Sequence, residues 1–561
     1  MRRYSLFLTV FAFSLGCAVL SCAQPPKAEK VAFPVIDGGA ILQHTKVLAS
    51  DEFEGRAPGT KGEESSVNYI VEQFKKLGLK PGNTDGSYIQ KVPLVGITAD
   101  PKVTLKFQKS DKEQALKFKD DFVAWTKRVI NTAELNNSEL IFVGYGVQAP
   151  EFQWDDYKGA DLKGKTLVML IGDPPVPDPA DPGKLDPKIF GGKAMTYYGR
   201  WTYKYEMGAK MGAAGVLIVH ETEPAGYPFS VVQSKVTEQF DLVAPDKNMS
   251  RVAVEGWITL DQAKKLFALA GKDFDTLKKQ ALSRTFKPSP LEVKASMTLH
   301  NKVRTIDSRN VAGKLEGSDP KLRDEYVIYT SHWDHFGIGP EVKGDKIYHG
   351  AVDNATGIGG MIEMARAYTR LAKTPKRSIL FLAVTAEEQG LLGSGYYAIR
   401  PIYPLAKTIA VINMDGLNVH GKTKDITITG LGYSDLDDYA RQVATEQGRE
   451  IKPDPEPEKG FYYRSDHFPF AKQGVPALAS GGGIDYVGKP ADYGKKIHDE
   501  YTANDYHKPS DKVRPDWDLS GAVQDLQYYW MVGYRVAQAD KYPEWKPGTE
   551  FKALREAQLK K

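Results

Sequence analysis

The chain has 561 residues, too many for one ordinary domain and enough for two or three. It is 41% hydrophobic and 26% charged, the balance of a folded globular protein rather than a disordered or fibrous one. Lys plus Arg number 75 against 71 Asp plus Glu, a formal +4, which gives no electrostatic ground for nucleic acid or an anionic membrane as partner.

The N-terminus, MRRYSLFLTVFAFSLGCAVLSCAQ, reads as an export signal over residues 1–22: two arginines, an apolar run, then small residues. The run meets Ser21 and Cys22 before reaching the ~20 apolar residues a spanning helix needs. VLSC resembles the lipobox of bacterial lipoproteins, which implies cleavage before Cys22, a lipid on its sulfur, and a periplasmic or cell-surface location. That lipid is the one membrane attachment expected. The only cysteines are Cys17 and Cys22, so the exported part has no disulfide and depends on its core and on any metals.

From Gly62 an amphipathic helix is predicted. Val67, Ile70, Val71, Phe74 and Leu77 fall at helical spacing, and Gly78 stands at the C-cap. Residues 103–107 alternate like a strand. From about 135 to 295 come short strands (LIFVGYGV, TLVMLIG), a proline-rich solvated loop (DPPVPDPADPGKLDP) and a helix-then-strand unit, YEMGAKMGAAGVLIVHE. His220 ends that strand and reads as structural.

From about 308 apolar strands alternate with helices: NVAGKLEG, YVIYTS, a helix after Asp353, SILFLAVTA, a short helix, TIAVINMD, ITITG, the helix SDLDDYARQVATEQ, and PALAS. A last helix runs roughly from 519 to 539. Strands apolar throughout and separated by helices predict an α/β fold with a mostly parallel or mixed sheet sandwiched by helices.

In such sheets ligands bind beyond the carboxyl ends of the strands. After YVIYTS comes His332-Trp333-Asp334-His335; after SILFLAVTA come Glu387 and Glu388; after TIAVIN comes Asp415. Asp353 lies in GAVDNATG, and His507 in YHKPSD. Singly these are an ordinary histidine, a solvated acidic pair, a turn and a helix cap. Jointly they recur at equivalent ends of one sheet. Two histidines and three carboxylates suit zinc better than the all-oxygen shells of magnesium or calcium. They divide well between two Zn2+ ions, whose four positive charges match three carboxylates and a bridging hydroxide. One glutamate is left over to take and return protons.

The ordered set SHWDH, GAVDNATG, TAEEQGLLGS, NMDG and YHKPSD resembles the di-zinc aminopeptidase and glutamate-carboxypeptidase-like metallopeptidases. The middle segment, with GYGV, DDYKGADLKGKTLVML and GAAGVLIV, is similar to the mainly β protease-associated domain inserted in that family. The implied organisation is a first part of the peptidase domain over 33–130, opened by EFEGRAPGTKGEES, an insert over 131–298, and a second part carrying the metals over 299–545. Carried over by position, the resemblance implies His332 and Asp415 on one zinc, Glu388 and His507 on the other, and Asp353 bridging. Glu387 would be the general base, Asp334 would orient His332, and the Tyr506 hydroxyl would hold the oxyanion. YRSDHFPF resembles the substrate-side stretch, which implies Arg464, Asp466 and His467 at the pocket. His335 is given no ligand role. The implied activity is hydrolysis of peptide substrates, by aminopeptidase action on family frequency. A carboxypeptidase or dipeptidase acting on acidic peptides, a glutaminyl-cyclase relative and a non-catalytic receptor remain alternatives. Side-chain preference and oligomeric state are not legible.

Overall fold

The computed structural model describes residues 31–234 and 237–560. The export signal, with Cys17 and Cys22, lies outside the described residues. From Pro34 to Lys561 the chain packs as one compact unit. Among the described residues no helix is long and apolar enough to cross a membrane.

Two sheets share one strand. The larger sheet runs, in spatial order, Glu450–Pro453, Asp425–Thr429, Ala477–Gly482, Thr408–Asn413, Tyr326–His332, Ser378–Val384, the second half of Ser289–Leu315, Ile89–Ala99 and Gln239–Leu242. Its four central strands, from Ala477–Gly482 to Ser378–Val384, are parallel; each flank joins them antiparallel, while the outer pair Glu450–Pro453 and Asp425–Thr429 is parallel within itself. The sheet is therefore mixed, with a parallel heart. Tyr326–His332, Ser378–Val384 and Thr408–Asn413 are buried at every position, as a sheet covered on both faces requires. Alternation assigns the faces. The Tyr329 hydroxyl bonds the Tyr368 hydroxyl at 2.9 Å and the Tyr529 carbonyl at 3.0 Å, under helices Gly357–Thr369 and Ser520–Gln538. Its neighbour Ile328 faces the other cluster, with Phe470 and Ala471 of helix His467–Lys472.

The strand Ser289–Leu315 changes sheets midway. His300 pairs with Thr132 in the smaller sheet, and Asn301 pairs with Ala99 in the larger. The smaller sheet also holds Thr104–Lys109, Lys112–Lys117, Thr132–Phe142, Thr166–Leu170, Gly215–His220, Val254–Thr259 and Phe122–Trp125. It thus takes in strands that precede residue 131, while Gln239–Leu242, inside 131–298, is bonded to the larger sheet. The shift in composition near residue 135 carries no record of these long-range pairings.

The helix Lys61–Lys76 buries Val67, Ile70 and Phe74, and Thr60 caps it. Gly78 has φ +74, the left-handed conformation that ends a helix at little cost to glycine. Helix Tyr493–Asn504 was not legible in the sequence. It buries only Gly494, so it has no apolar stripe to betray its period. His220 is structural here too, its Nε2 3.1 Å from the Tyr227 carbonyl and its ring 5.8 Å from Trp257.

Phe74 is wholly buried, 6.4 Å between ring centres from Phe381, which in turn stacks on Tyr329 at 5.7 Å. Phe74→Ala should cost about 3–5 kcal/mol, the usual loss for a buried aromatic, read as a lowered denaturant midpoint with unchanged slope.

Candidate metal centre

The parallel register brings three strand ends to one place. His332 stands opposite Val384, and Thr330 opposite Asn413. Residues that follow these positions (Asp334 and His335, Glu387 and Glu388, Asp415) therefore leave the sheet side by side. The remaining groups arrive on loops. Asp353 comes just before helix Gly357–Thr369, and His507 follows helix Tyr493–Asn504.

Asp353 stands between the two imidazoles. Its Oδ1 is 3.3 Å from His332 Nε2 and its Oδ2 is 3.3 Å from His507 Nε2. Asp415 Oδ1 is 3.1 Å from His332 Nε2, and Glu388 Oε2 is 3.2 Å from His507 Nε2. His332, Asp353, Asp415, Glu388 and His507 are thus brought together, in the pairing the sequence resemblance implies. His335 joins them, with Nδ1 2.6 Å from Glu388 Oε1 but without hydrogen-bond geometry. Two groups of side chains could each hold an ion: His332, Asp353 and Asp415, and His335, Asp353 and Glu388. The family resemblance gives His335 no role, yet folding turns its ring towards Glu388 and Asp353.

The chemistry of this donor set fits zinc, which takes imidazole nitrogen and carboxylate oxygen. Buried atoms left without hydrogen-bond partners point the same way. They are Glu388 Oε1, Asp334 Oδ2 and both ring nitrogens of His335. Protein interiors rarely strand such atoms.

The electrostatics are those of crowded carboxylates. Burial alone would raise the Asp353 carboxyl, but its bonds to His332 and His507 hold it well below the usual range. Burial would likewise raise Glu388, yet His507 holds it down at about 2. Burial would lower His507, but Glu388 and Asp353 lift it to about 9. Glu387 goes the other way. Burial pushes it well above the carboxylate range, and Asp415 and Glu388 add to this against the pull of His332. Two adjacent glutamates are thereby driven apart in acidity.

Asp334 accepts the Glu387 N–H at 3.0 Å, while His332 Nδ1 is 3.2 Å from the Asp334 main-chain oxygen and 3.8 Å from its carboxylate. The Asp334 carboxylate therefore steadies Glu387, and its backbone faces the imidazole. Tyr506 is 44% exposed and stacks on His507, ring centres 3.7 Å apart. With Asp415 and His507 about 30% open (31% and 28%), it marks the accessible side of the site. The pocket residues differ among themselves. Arg464 is half-buried near this side. Asp466 is wholly buried and accepts a 2.5 Å bond from Ser394, and His467 is 1% exposed against Tyr462. Neither reaches the surface, because helix His467–Lys472 starts there and turns both inward. Ser465, just before them, reaches the centre instead, donating to Asp415 Oδ2 at 2.5 Å.

Three further residues hold the loops. Asn354, not Asp353, caps the helix. Its Oδ1 accepts from the Gly357 N–H at 3.1 Å and the Gly416 N–H at 2.9 Å, and its Nδ2 donates to Ser331 Oγ and the Met414 carbonyl. Asp353 is thereby free to face the histidines. Asp511 accepts from the N–H groups of Val352 at 3.0 Å and Asp353 at 3.1 Å, tying the His507 loop to the Asp353 turn. It is the last residue of YHKPSD, so its place four residues past His507 was a usable signal. Arg56 is 1% exposed and donates to four carbonyls, Leu48 and His349 at 2.7 Å and Trp333 and Gly350 at 2.8 Å. It thus pins the loops that carry His332 and Asp353. Close approach makes this possible, since a Cβ on Gly62 would lie 2.3 Å from the Phe53 carbonyl.

Arg56→Met should weaken zinc binding about 10–100-fold, as loss of supporting bonds around a metal site does, with the circular dichroism spectrum unchanged. Competition with a chromophoric chelator measures it. Unaltered affinity would show that the loops keep their places without the guanidinium.

Residues 310–531 match the model of Peptidase family M28. Aminopeptidase NAALADL1 of Mus musculus is 36% identical over 134 residues, covering 23% of this chain and 16% of that protein. A glutamate carboxypeptidase 2 homolog of Caenorhabditis elegans is 29% identical over 201 residues, covering 35% of this chain and 24% of that protein. A probable zinc metalloprotease of Pyrenophora teres f. teres (strain 0-1) is 33% identical over 111 residues, 20% of this chain and 23% of that protein. The chain therefore spans less than a quarter of the length of these relatives. The matched segment contains the strand ends, Asp353 and His507, and on this ground residues 310–531 constitute a domain of Peptidase family M28.

Proposed function

We propose that the protein is an exported zinc-dependent exopeptidase holding two Zn2+ ions, and that it removes N-terminal residues from peptides. The observation that carries this reading is Asp353, whose two oxygens each lie 3.3 Å from a different histidine. Around it stand one further carboxylate for each imidazole, Asp415 and Glu388. Names of relatives on both sides, an aminopeptidase and a carboxypeptidase homolog, support peptide hydrolysis more broadly than either terminus.

Bound zinc would polarise the scissile carbonyl and lower the pKa of water towards ~7. The protein's own groups do the rest. Glu387, raised in pKa and steadied by Asp334, accepts a proton from the attacking water and passes it to the departing amine. Ser465 holds Asp415 in place. Tyr506, on the open side beside His507, offers its hydroxyl to the oxygen that gains charge. We read residues 131–298 as the protease-associated insert that the sequence resembles, and export with a lipid on Cys22 as the route to periplasm or cell surface; both rest on the sequence.

Glu387→Gln should retain two zincs per chain by elemental analysis and lose about 10²–10⁴-fold in kcat on an aminoacyl amide substrate. A variant with both metals and full turnover would remove Glu387 from this role. Wild-type protein fully active with no bound metal would remove the reading itself.

A further inference from the structure

Asp353 is not the only carboxylate that faces two imidazoles. Glu388 presents one oxygen to each of another two. Its Oε2 lies 3.2 Å from His507 Nε2, and its Oε1 lies 2.6 Å from His335 Nδ1. The two rings stand edge to face, their centres 6.0 Å apart. His335, Asp353 and Glu388 already have the spacing of ligands around one ion, with no contribution from His507.

The two imidazoles are held very differently. His335 is wholly buried, and its main-chain N–H donates to the Arg56 carbonyl at 3.3 Å. Its ring lies against Gly350, where a Cβ would come 2.6 Å from Cγ, so only glycine admits it. Arg56 fixes that glycine too, through its carbonyl at 2.8 Å. Both ring nitrogens of His335 are buried without a hydrogen-bond partner, which protein interiors rarely allow. His507, by contrast, is 28% open. Its φ is +57, a left-handed backbone that a residue with a Cβ adopts at a cost. It follows helix Tyr493–Asn504, of which Gly494 alone is buried. Its ring stacks on Tyr506 at 3.7 Å and meets Phe336 at 4.6 Å.

We propose that His335 and His507 are interchangeable imidazoles for the ion shared by Asp353 and Glu388, and that His335 holds it when His507 withdraws. This rests on the two-zinc reading above and adds a ligand that the sequence resemblance does not supply. A neutral imidazole binds zinc through either ring nitrogen. Glu388 needs only to pass the ion from one of its oxygens to the other. The ion then stays in place while His507 and the adjoining Tyr506 move aside on the accessible side of the site. The same role accounts for a rigid, buried imidazole whose nitrogens bond nothing else.

The test counts zinc per chain by elemental analysis after gel filtration, in wild type, His335→Ala, His507→Ala and the double variant. The expected counts are two, two, two and one. Competition with a chelator should show each single substitution weakening the second ion by less than about tenfold, and the pair by about a hundredfold or more. Such non-additivity marks two groups that do one job. The zinc that the double variant keeps on His332, Asp353 and Asp415 shows that it has folded. Should the Ala pair fail to fold, the pair His335→Leu and His507→Leu replaces it, with the same count expected. One zinc in either single variant would overturn the exchange, because the remaining imidazole would have failed to hold the ion. Two zincs in the double variant would overturn it as well, since neither imidazole would be needed. So would a folded double variant with none, because the loss would then reach the ion of His332 and Asp415. Wild type holding fewer than two zincs would remove the two-zinc reading itself, and the exchange with it.

Discussion

The structure depends on keeping several carboxylates together at the end of a buried sheet. Like charges about 4 Å apart repel by roughly 4 kcal/mol at the effective dielectric of a protein. Asp353, Asp415 and Glu388 all lie within 3.3 Å of an imidazole, and Glu387 and Asp334 stand close behind. Such a cluster is tolerable only with positive charge inside it. The two histidines supply part, and the donor set has the composition of a cation site for the remainder.

The scaffold answers this repulsion with fixed bonds. Strands parallel at the heart of the sheet deliver His332, Glu387, Glu388 and Asp415 at one level, since register leaves no freedom once both faces are packed. The loops, which have no ladder, are held by side chains. Arg56 binds four carbonyls, Asn354 joins two strand ends to a helix start, and Asp511 clamps the turn before Asp353. None of these three is aimed at the space where an ion would sit, yet they place the groups that are.

Buried arginines elsewhere are partnered as well, Arg377 by Glu325 and Arg449 by Asp525, each at 2.7 Å. The two sheets themselves meet at a seam. The seam exists because one long strand, Ser289–Leu315, is common to both sheets and holds their loops in fixed relation.

Much was already legible in the sequence. Apolar runs bounded by helical periods disclosed the parallel heart of the sheet, because burial on both faces demands uninterrupted apolar residues. The chemical groups could be read from the rule that they follow such strands. Tertiary structure alone decided the rest. Which strands share a sheet, as for Thr104–Lys109 and Gln239–Leu242, depends on backbone partners more than 100 residues away. Arg56 is one residue of EFEGRAPGTKGEES with no local pattern to mark it, and only folding gives its donors their four carbonyls. His335 and His467 show the same limit in opposite directions: one is turned into the cluster and the other into the core. Residue type tells what a side chain can do. The direction it faces is set by packing, which no local pattern records.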